Sequence, residues 1–340
     1  MAIDITPADP TIVLELMAAY RRSKVMFAAV DLGIFDLLEA GYLSATDVAE
    51  QLQCDVSAMT RLLHALVGLG LVEECDGKFG NSDVARTYLT RSSPQRFTGY
   101  IQYSNDVGWG LWGNLEDAIR EGTHRWKQTF GMDGPIFSNF FATEDAKREF
   151  LMGMNGFGVL SSPFVVEAFD LSPFQKLIDL GTASGHLVLA ACERYPKLQA
   201  IALDLAEALP LAKELIEQSP FADRVQTQAA DFFIDPLPEG DLYALGRILH
   251  DWSLDKIQFL LKKIFDALPE GGGLLIAEKI LWENHRGPSW AQMQDLNMLL
   301  CTEGRERTLS EYDALLKAVG FRKVIGKRTH APIDAILAIK

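Results

Sequence analysis

From Gln175 to the C-terminus, short apolar runs alternate with amphipathic stretches, and this alternation limits the fold more than any other feature of the chain. KLIDLG, LQAIALDL, VQTQAAD, DLYALGRIL and GGGLLIAEKIL read as five buried strands. Between or after them, GHLVLAACERYP, Leu209–Gln218, Asp255–Leu268 and Leu309–Val319 carry helical spacing. The closing RKVIGKRTHAPIDAILAIK predicts two further strands joined by a loop at Thr329–Pro332. Repeated β-α-β units demand a mostly parallel sheet covered on both faces. The final antiparallel pair makes it a mixed α/β sheet of seven strands.

The first of these strands runs into Asp179-Leu180-Gly181-Thr182-Ala183-Ser184-Gly185, and a helix begins at once. Gly181 and Gly185 allow a tight turn and close approach of a ligand to the backbone. A dinucleotide loop would read G-x-G-x-x-G, but Ala183 holds the middle position and His186 the last. No G-x-x-x-x-G-K-S/T run follows, which excludes a P-loop. Nineteen residues beyond Gly185, Asp204 ends the second strand with Leu205 after it; a carboxylate there suits the hydroxyls of a ribose. Asp231 and Phe232 end the third strand, placing an acid and an aromatic ring where an adenine would lie. Together these describe a nucleoside pocket without phosphates at the carboxyl edge of the sheet. S-adenosylmethionine, a nucleoside bearing a cationic sulfonium, fits such acidic walls.

The first third of the chain is helical. Ser44 with Asp47 forms a capping-box pair, Val56–Leu69 carries Met59, Leu62, Leu63 and Leu66 on one face, and Leu71–Glu74 with Lys78–Asn81 predicts a hairpin around Asp76-Gly77. Helix, turn, helix and wing is a winged-helix order. Residues 1–95 hold 7 Lys/Arg against 13 Asp/Glu, a net of −6, and the whole chain carries −14. A groove reader needs phosphate-neutralising residues on its second helix. Here that helix offers only Arg61 and His64, so the module is expected to pack against protein, and nucleic acid and anionic membranes are not expected partners. Residues 96–170 are rich in aromatics, with Trp109, Trp112 and Phe157 among those suited to a core or a flat apolar pocket.

Cys54, Cys75, Cys192 and Cys301 show no C-x-x-C spacing, and the histidines show no H-x-x-x-H or H-x-H spacing. Neither a disulfide framework nor a metal site is expected. The N-terminus lacks a basic region followed by an apolar stretch, and no run of about 18 apolar residues is present. A cytoplasmic protein is the expectation.

GDLYALGRILHDWSLDKIQFLLKKIFDALPEGGGLLIAEKIL followed by DLNMLLCTEGRERTLSEYDALLKAVGF closely resembles the homodimeric small-molecule O-methyltransferases, in particular the acetylserotonin (hydroxyindole) branch. The resemblance runs from about Arg21 to the C-terminus. It implies a winged-helix dimerisation domain over 1–95, a helical pocket-forming segment over 96–170 and a Rossmann-like class I methyltransferase domain over 171–340. It implies a homodimer formed through the N-terminal domain, S-adenosylmethionine as methyl donor (leaving as S-adenosylhomocysteine), and no metal. His250 matches the family's general base, and Glu278 and Glu306 match the two glutamates that flank it, each step being 28 residues. Asp251 and Asn297 match substrate-facing residues. Arg247 joins Asp179, Gly181, Gly185, Asp204, Leu205, Asp231 and Phe232 around the cofactor. Met154, Phe157, Trp109, Met298 and Cys301 are expected at the acceptor pocket. Three positions depart from the pattern: Ala183 replaces a loop glycine, Cys301 a glutamine and Phe141 a tyrosine that approaches the cofactor.

A phenol or hydroxyindole OH has a pKa near about 10, so at neutral pH it is a poor nucleophile. An imidazole near about 6.5 can take its proton during attack, and a carboxylate can hold the other ring nitrogen protonated. The expected function is methylation of a hydroxyl on a small aromatic metabolite. A C- or N-methyltransferase of the same fold is the alternative reading, and a non-catalytic winged-helix regulator a more distant one.

Overall fold

The structure, a computed structural model, describes residues 9–132 and 143–340. It divides into two compact units, Met1–Asp106 and Val107–Lys340.

In the first unit a long helix, Thr11–Asp31, precedes the helices Ala45–Gln51 and Val56–Gly68. Ser44 and Asp47 form the reciprocal capping box, and Asp55 accepts from the Ala58 N–H to start the next helix. Strands β1 (Leu43–Ser44), β2 (Val72–Cys75) and β3 (Lys78–Asn81) form an antiparallel sheet in the order β1-β3-β2. Asp76 (φ 50°) and Gly77 (φ 72°) both take left-handed backbone between β2 and β3, which matches the twist of a two-residue hairpin. Val48, Met59, Leu63, Leu66 and Phe79 fill the core behind this helix-turn-helix and its wing. Leu16 (69% exposed), Ile12, Val13 and Met17 leave an apolar stripe of the first helix uncovered within this unit.

The second unit is built on seven strands: β4 (Lys176–Leu180), β5 (Gln199–Asp204), β6 (Val225–Ala229), β7 (Leu242–Gly246), β8 (Gly273–Glu278), β11 (Lys323–Lys327) and β12 (Asp334–Ile339). Two short strands, β9 (Ile280–Leu281) and β10 (Arg307–Thr308), pair separately. The order is β11-β12-β8-β7-β4-β5-β6, with every pairing parallel except the two made by β12, which alone runs against the others; the sheet is mixed, as the alternating pattern predicts. Successive strand residues point to opposite faces, and both faces are dry. Leu242 and Ala244 pack with Val188, Ala191 and Ile216 on one side, while Tyr243 and Leu245 pack with Ile257, Leu260, Leu261 and Ile264 on the other. The last four recur at helical spacing along Leu254–Ala267. From β4 the chain builds outward through β5 and β6, then returns to β7 on the opposite side. The carboxyl ends of β4 and β7 are therefore the topological switch point, where such sheets open a crevice.

The antiparallel edge is held by one fully buried acid. Asp334 accepts from the N–H groups of Ile280 (3.2 Å) and Thr329 (2.9 Å) and faces Lys279 Nζ at 3.3 Å. Asp334→Ala strands two backbone donors and a half-buried ammonium, so it should lower stability by about 3 kcal/mol. A fall in the urea midpoint without a change in slope checks this; an unchanged midpoint contradicts it.

Candidate active site

At the end of β4 the loop is shaped by its own backbone. Gly181 (φ 78°), Ala183 (φ 53°) and Gly185 (φ 81°) all occupy left-handed conformations. A Cβ on Gly181 would lie 2.5 Å from Ile248 Cδ1 and 3.6 Å from the Phe232 ring, so both space and φ require glycine there. Ala183 tolerates its strain because its N–H donates to Asp204 Oδ2 at 2.8 Å; Asp204 Oδ1 accepts from Leu205 N–H at the same distance. Thr182 Oγ1 donates to Asp179 Oδ2 at 2.7 Å. Burial pushes Asp179 up to about 7 and Asp204 up to about 6, the latter opposed by its two backbone donors. Asp231 accepts from Phe233 N–H at 2.8 Å, and Phe232 packs at a tilt against Phe233 (4.8 Å), which meets Trp252 edge-on (5.0 Å).

Beyond β7 the chain turns sharply at Arg247 (φ 56°) and delivers His250 into the interior. The imidazole is 3% exposed, and Glu278 and Glu306 are wholly buried. Nδ1 lies 2.7 Å from Glu306 Oε1 and 3.3 Å from Glu278 Oε2, and Nε2 lies 3.6 Å from Asp251 Oδ1. Glu278, closing β8, accepts on Oε1 from the N–H groups of Ile248 (3.0 Å) and Leu249 (2.9 Å). Glu306 precedes β10, and its N–H donates to Asp295 at 2.8 Å. Burial raises both glutamates, Glu306 to about 8 against the opposing pull of Arg247 and Arg307; burial likewise lifts Asp251 to about 6. A solvated surface role for these side chains is excluded by their burial.

The three groups offer ligand-type atoms within 4.8 Å of one another. Both carboxylates nevertheless address the same nitrogen, and a 2.7 Å Nδ1–Oε1 approach is that of a hydrogen bond. Two bonds of about 2.1 Å to a shared tetrahedral cation would hold these atoms more than 3 Å apart.

Further out, Arg247 reaches Met154 Sδ at 3.3 Å and lies 5.5 Å over the Phe157 ring, which packs on Trp290 at 5.9 Å. Asn297 Oδ1 accepts from Trp112 Nε1 at 3.0 Å, and Cys301 Sγ lies 3.7 Å from the same oxygen. Met298 is buried beside them in the helix Ser289–Cys301. Trp109 is 41% exposed, and Trp112 rather than Trp109 makes the contact to Asn297. Phe141 lies outside the described residues. Sequence reasoning missed Gly304, where a Cβ would come 2.2 Å from the His250 carbonyl oxygen, and Arg307, which donates to the Leu249 carbonyl at 3.1 Å. The CTEGRERT run carried both, but a glycine's crowding depends on a partner 54 residues away.

A strained, glycine-turned loop at a switch point, set beside a buried histidine carrying two carboxylates, has the form of a group-transferring site on a Rossmann-like fold. Residues 112–322 match the O-methyltransferase domain model and residues 14–91 the O-methyltransferase dimerisation domain model. The chain is 38% identical to chicken (Gallus gallus) acetylserotonin O-methyltransferase over 338 residues, covering 97% of each. It is 36% identical over 337 residues to the human "probable bifunctional dTTP/UTP pyrophosphatase/methyltransferase protein"; this covers 98% of the chain but only 54% of that longer protein. The crystal structure of human N-acetylserotonin methyltransferase in complex with SAM superposes with a TM-score of 0.92, at 35% identity and 99% coverage of both chains. The chain belongs to the O-methyltransferase family and is an S-adenosylmethionine-dependent O-methyltransferase. The cradle fits that cofactor: Gly181 keeps the space that a Cβ would fill beside Phe232, and buried carboxylates suit a cation.

These acids bear on stability. Carboxyls held above their unfolded values keep protons that the unfolded chain releases, so the folded state binds more protons between about pH 4 and 8 and loses stability as pH rises. Glu306 has a wide window, from 4.5 to about 8. Thermal midpoints of the cofactor-free enzyme should fall from pH 5 to 8, and Glu306→Gln should flatten that fall. An equal slope in the variant contradicts the assignment.

Proposed function

We propose that His250 is the general base that deprotonates a hydroxyl of a small aromatic acceptor, with Glu278 and Glu306 orienting and charging its ring. The 2.7 Å contact between Nδ1 and Glu306 carries this reading. With both glutamates ionised, Nδ1 must donate, so its proton is fixed there and Nε2 is left as the acceptor. Taking the acceptor's proton on Nε2 makes an imidazolium beside two buried carboxylates, which stabilise that charge as it forms. Bound S-adenosylmethionine supplies an electrophilic methyl group on a sulfonium. Gly181, Gly185, Asp204, Leu205, Asp231, Phe232 and Arg247 would hold it, and Asp179 supports the loop. Met154, Phe157 and Met298 would wall a flat ring, and Asp251 and Asn297 would supply polar contacts. Excluding water and fixing the hydroxyl in line then provide much of the rate.

The family match and the similarity to acetylserotonin enzymes support a phenolic or hydroxyindole-like acceptor. Cys301, in place of glutamine, makes hydroxyindole specificity the feature least transferable to this chain. The apolar stripe of the first helix supports a second copy of this chain as the partner, joined through the N-terminal unit. Four cysteines, none of them in a disulfide among the described residues, suit a reducing, cytoplasmic setting.

His250→Ala should lower kcat for a hydroxyarene by about 10²-fold or more and leave the dissociation constant of S-adenosylmethionine within about twofold. Transfer of labelled methyl without added metal, across phenols, catechols and hydroxyindoles, is the assay; wild-type turnover in the variant overturns the assignment. The reactive cluster is the fully deprotonated one, because a protonated Glu306 donates to Nδ1 and moves the ring proton to Nε2. Turnover should therefore rise with pH towards about 8. Glu306→Gln should be slower throughout and lack that rise.

A further inference from the structure

We propose that His186 is a positioning residue that clasps the cofactor loop to the helix walling the acceptor pocket, and so sets acceptor binding rather than cofactor binding. This rests on the acceptor pocket assigned above. His186 follows Gly185 directly and opens the helix His186–Arg194. Its ring lies flat on Gly158 of the helix Glu144–Glu167: a Cβ at Gly158 would come within 2.1–2.4 Å of three ring atoms. Nδ1 shares a 2.8 Å hydrogen bond with the buried Ser162 Oγ. Gly158 and Ser162 stand four residues apart on one helical face, so the imidazole bridges one turn with a shape contact at one end and a polar contact at the other.

One turn before Gly158 on that face is Met154, whose sulfur meets Arg247, and Phe157 beside it carries the Arg247 guanidinium and Trp290. Arg247 stands three residues before His250. Loop and clasp are therefore joined through one helix to the pocket wall, and the wall through Arg247 to the segment that carries the base. The clasp needs a neutral ring, and burial with the nearby Arg247 charge holds His186 down at about 4. Neither a bulkier residue at 158 nor a cation at 186 can be accommodated in this arrangement. The cofactor loop, by contrast, is held by Asp204, Thr182 and the Leu203 carbonyl, none of which touches the clasp.

The experiment compares His186→Ala, Gly158→Ala, the double variant and His186→Asn, using the best-turned-over hydroxyarene as probe. His186→Ala and Gly158→Ala should each raise the acceptor KM by about tenfold, with kcat within about threefold and the S-adenosylmethionine dissociation constant within about twofold. In the His186→Ala background Gly158→Ala should add nothing, because the ring it would strike is gone. His186→Asn, whose amide can still reach Ser162, should recover most of the affinity. Wild-type KM in His186→Ala, additive losses in the double variant, or equal loss of cofactor affinity would each overturn the proposal. A His250→Ala enzyme that turns over normally would sink the general-base reading and leave this one standing. If no hydroxyarene is turned over, the acceptor class falls, and amide exchange along residues 150–162 still tests the clasp: His186→Ala should speed it by about tenfold, and unchanged protection would overturn it.

Discussion

An imidazole and two carboxylates are sealed in the interior with a single ring nitrogen between them, and the second unit is arranged around the cost of doing so. Buried carboxylates lose their hydration and are tolerated only when other groups take its place. Glu278 obtains two backbone donors from Ile248 and Leu249, the residues leading into His250. Glu306 has only the His250 ring on Oε1, its Oε2 having no hydrogen-bond partner among the described residues, while Asp295 fixes its backbone N–H and Arg307 fastens the Leu249 carbonyl. Gly304 lies so close to the His250 carbonyl that no side chain fits. Ends of β7, β8 and the β10 approach thus meet at one point because the cluster needs all three.

The same turn governs the cofactor loop. Ile248 lies where a Gly181 side chain would be, and Arg247 adopts left-handed backbone to send Ile248 one way and its own guanidinium the other. Such a conformation costs a non-glycine residue of order 1 kcal/mol or more. It is offset by the Arg247 N–H bond to Ala277 (2.9 Å) and by the packing of the guanidinium on Met154 and Phe157. Strain at Ala183 is held in the same manner by Asp204. Both strained residues border the crevice, as expected where backbone is shaped for a ligand rather than for stability.

Much of this was legible beforehand because it depends on local pattern. Strand runs such as KLIDLG, the helical spacing of Ile257, Leu260, Leu261 and Ile264, the Ser44–Asp47 cap and the Asp76-Gly77 turn each act within a few residues. Grouping His250 with Glu278 and Glu306 needed the family resemblance, since equal 28-residue steps carry no geometry of their own. The exposure of Trp109, the bond from Trp112 to Asn297 and the fit of His186 on Gly158 were not legible. Each joins distant segments, and an aromatic or a glycine in isolation does not say what it will meet.

His250 and the cofactor loop share one electrostatic condition. Asp179, Asp204, Asp251 and Glu306 are all raised by burial, and Asp179 (about 7) and Glu306 (about 8) far enough to keep protons at neutral pH that solvated acids would release. Ionising them unaided concentrates negative charge in a medium that screens poorly. A cation entering the crevice reverses that balance, because it favours every ionised form near it. Binding of a sulfonium and release of protons from these carboxyls are therefore linked, and by reciprocity the cation is held more tightly as pH rises. On the general-base reading proposed above, Glu306 must be ionised for His250 to accept a proton, so the methyl donor and a rising pH favour the same state of the cluster.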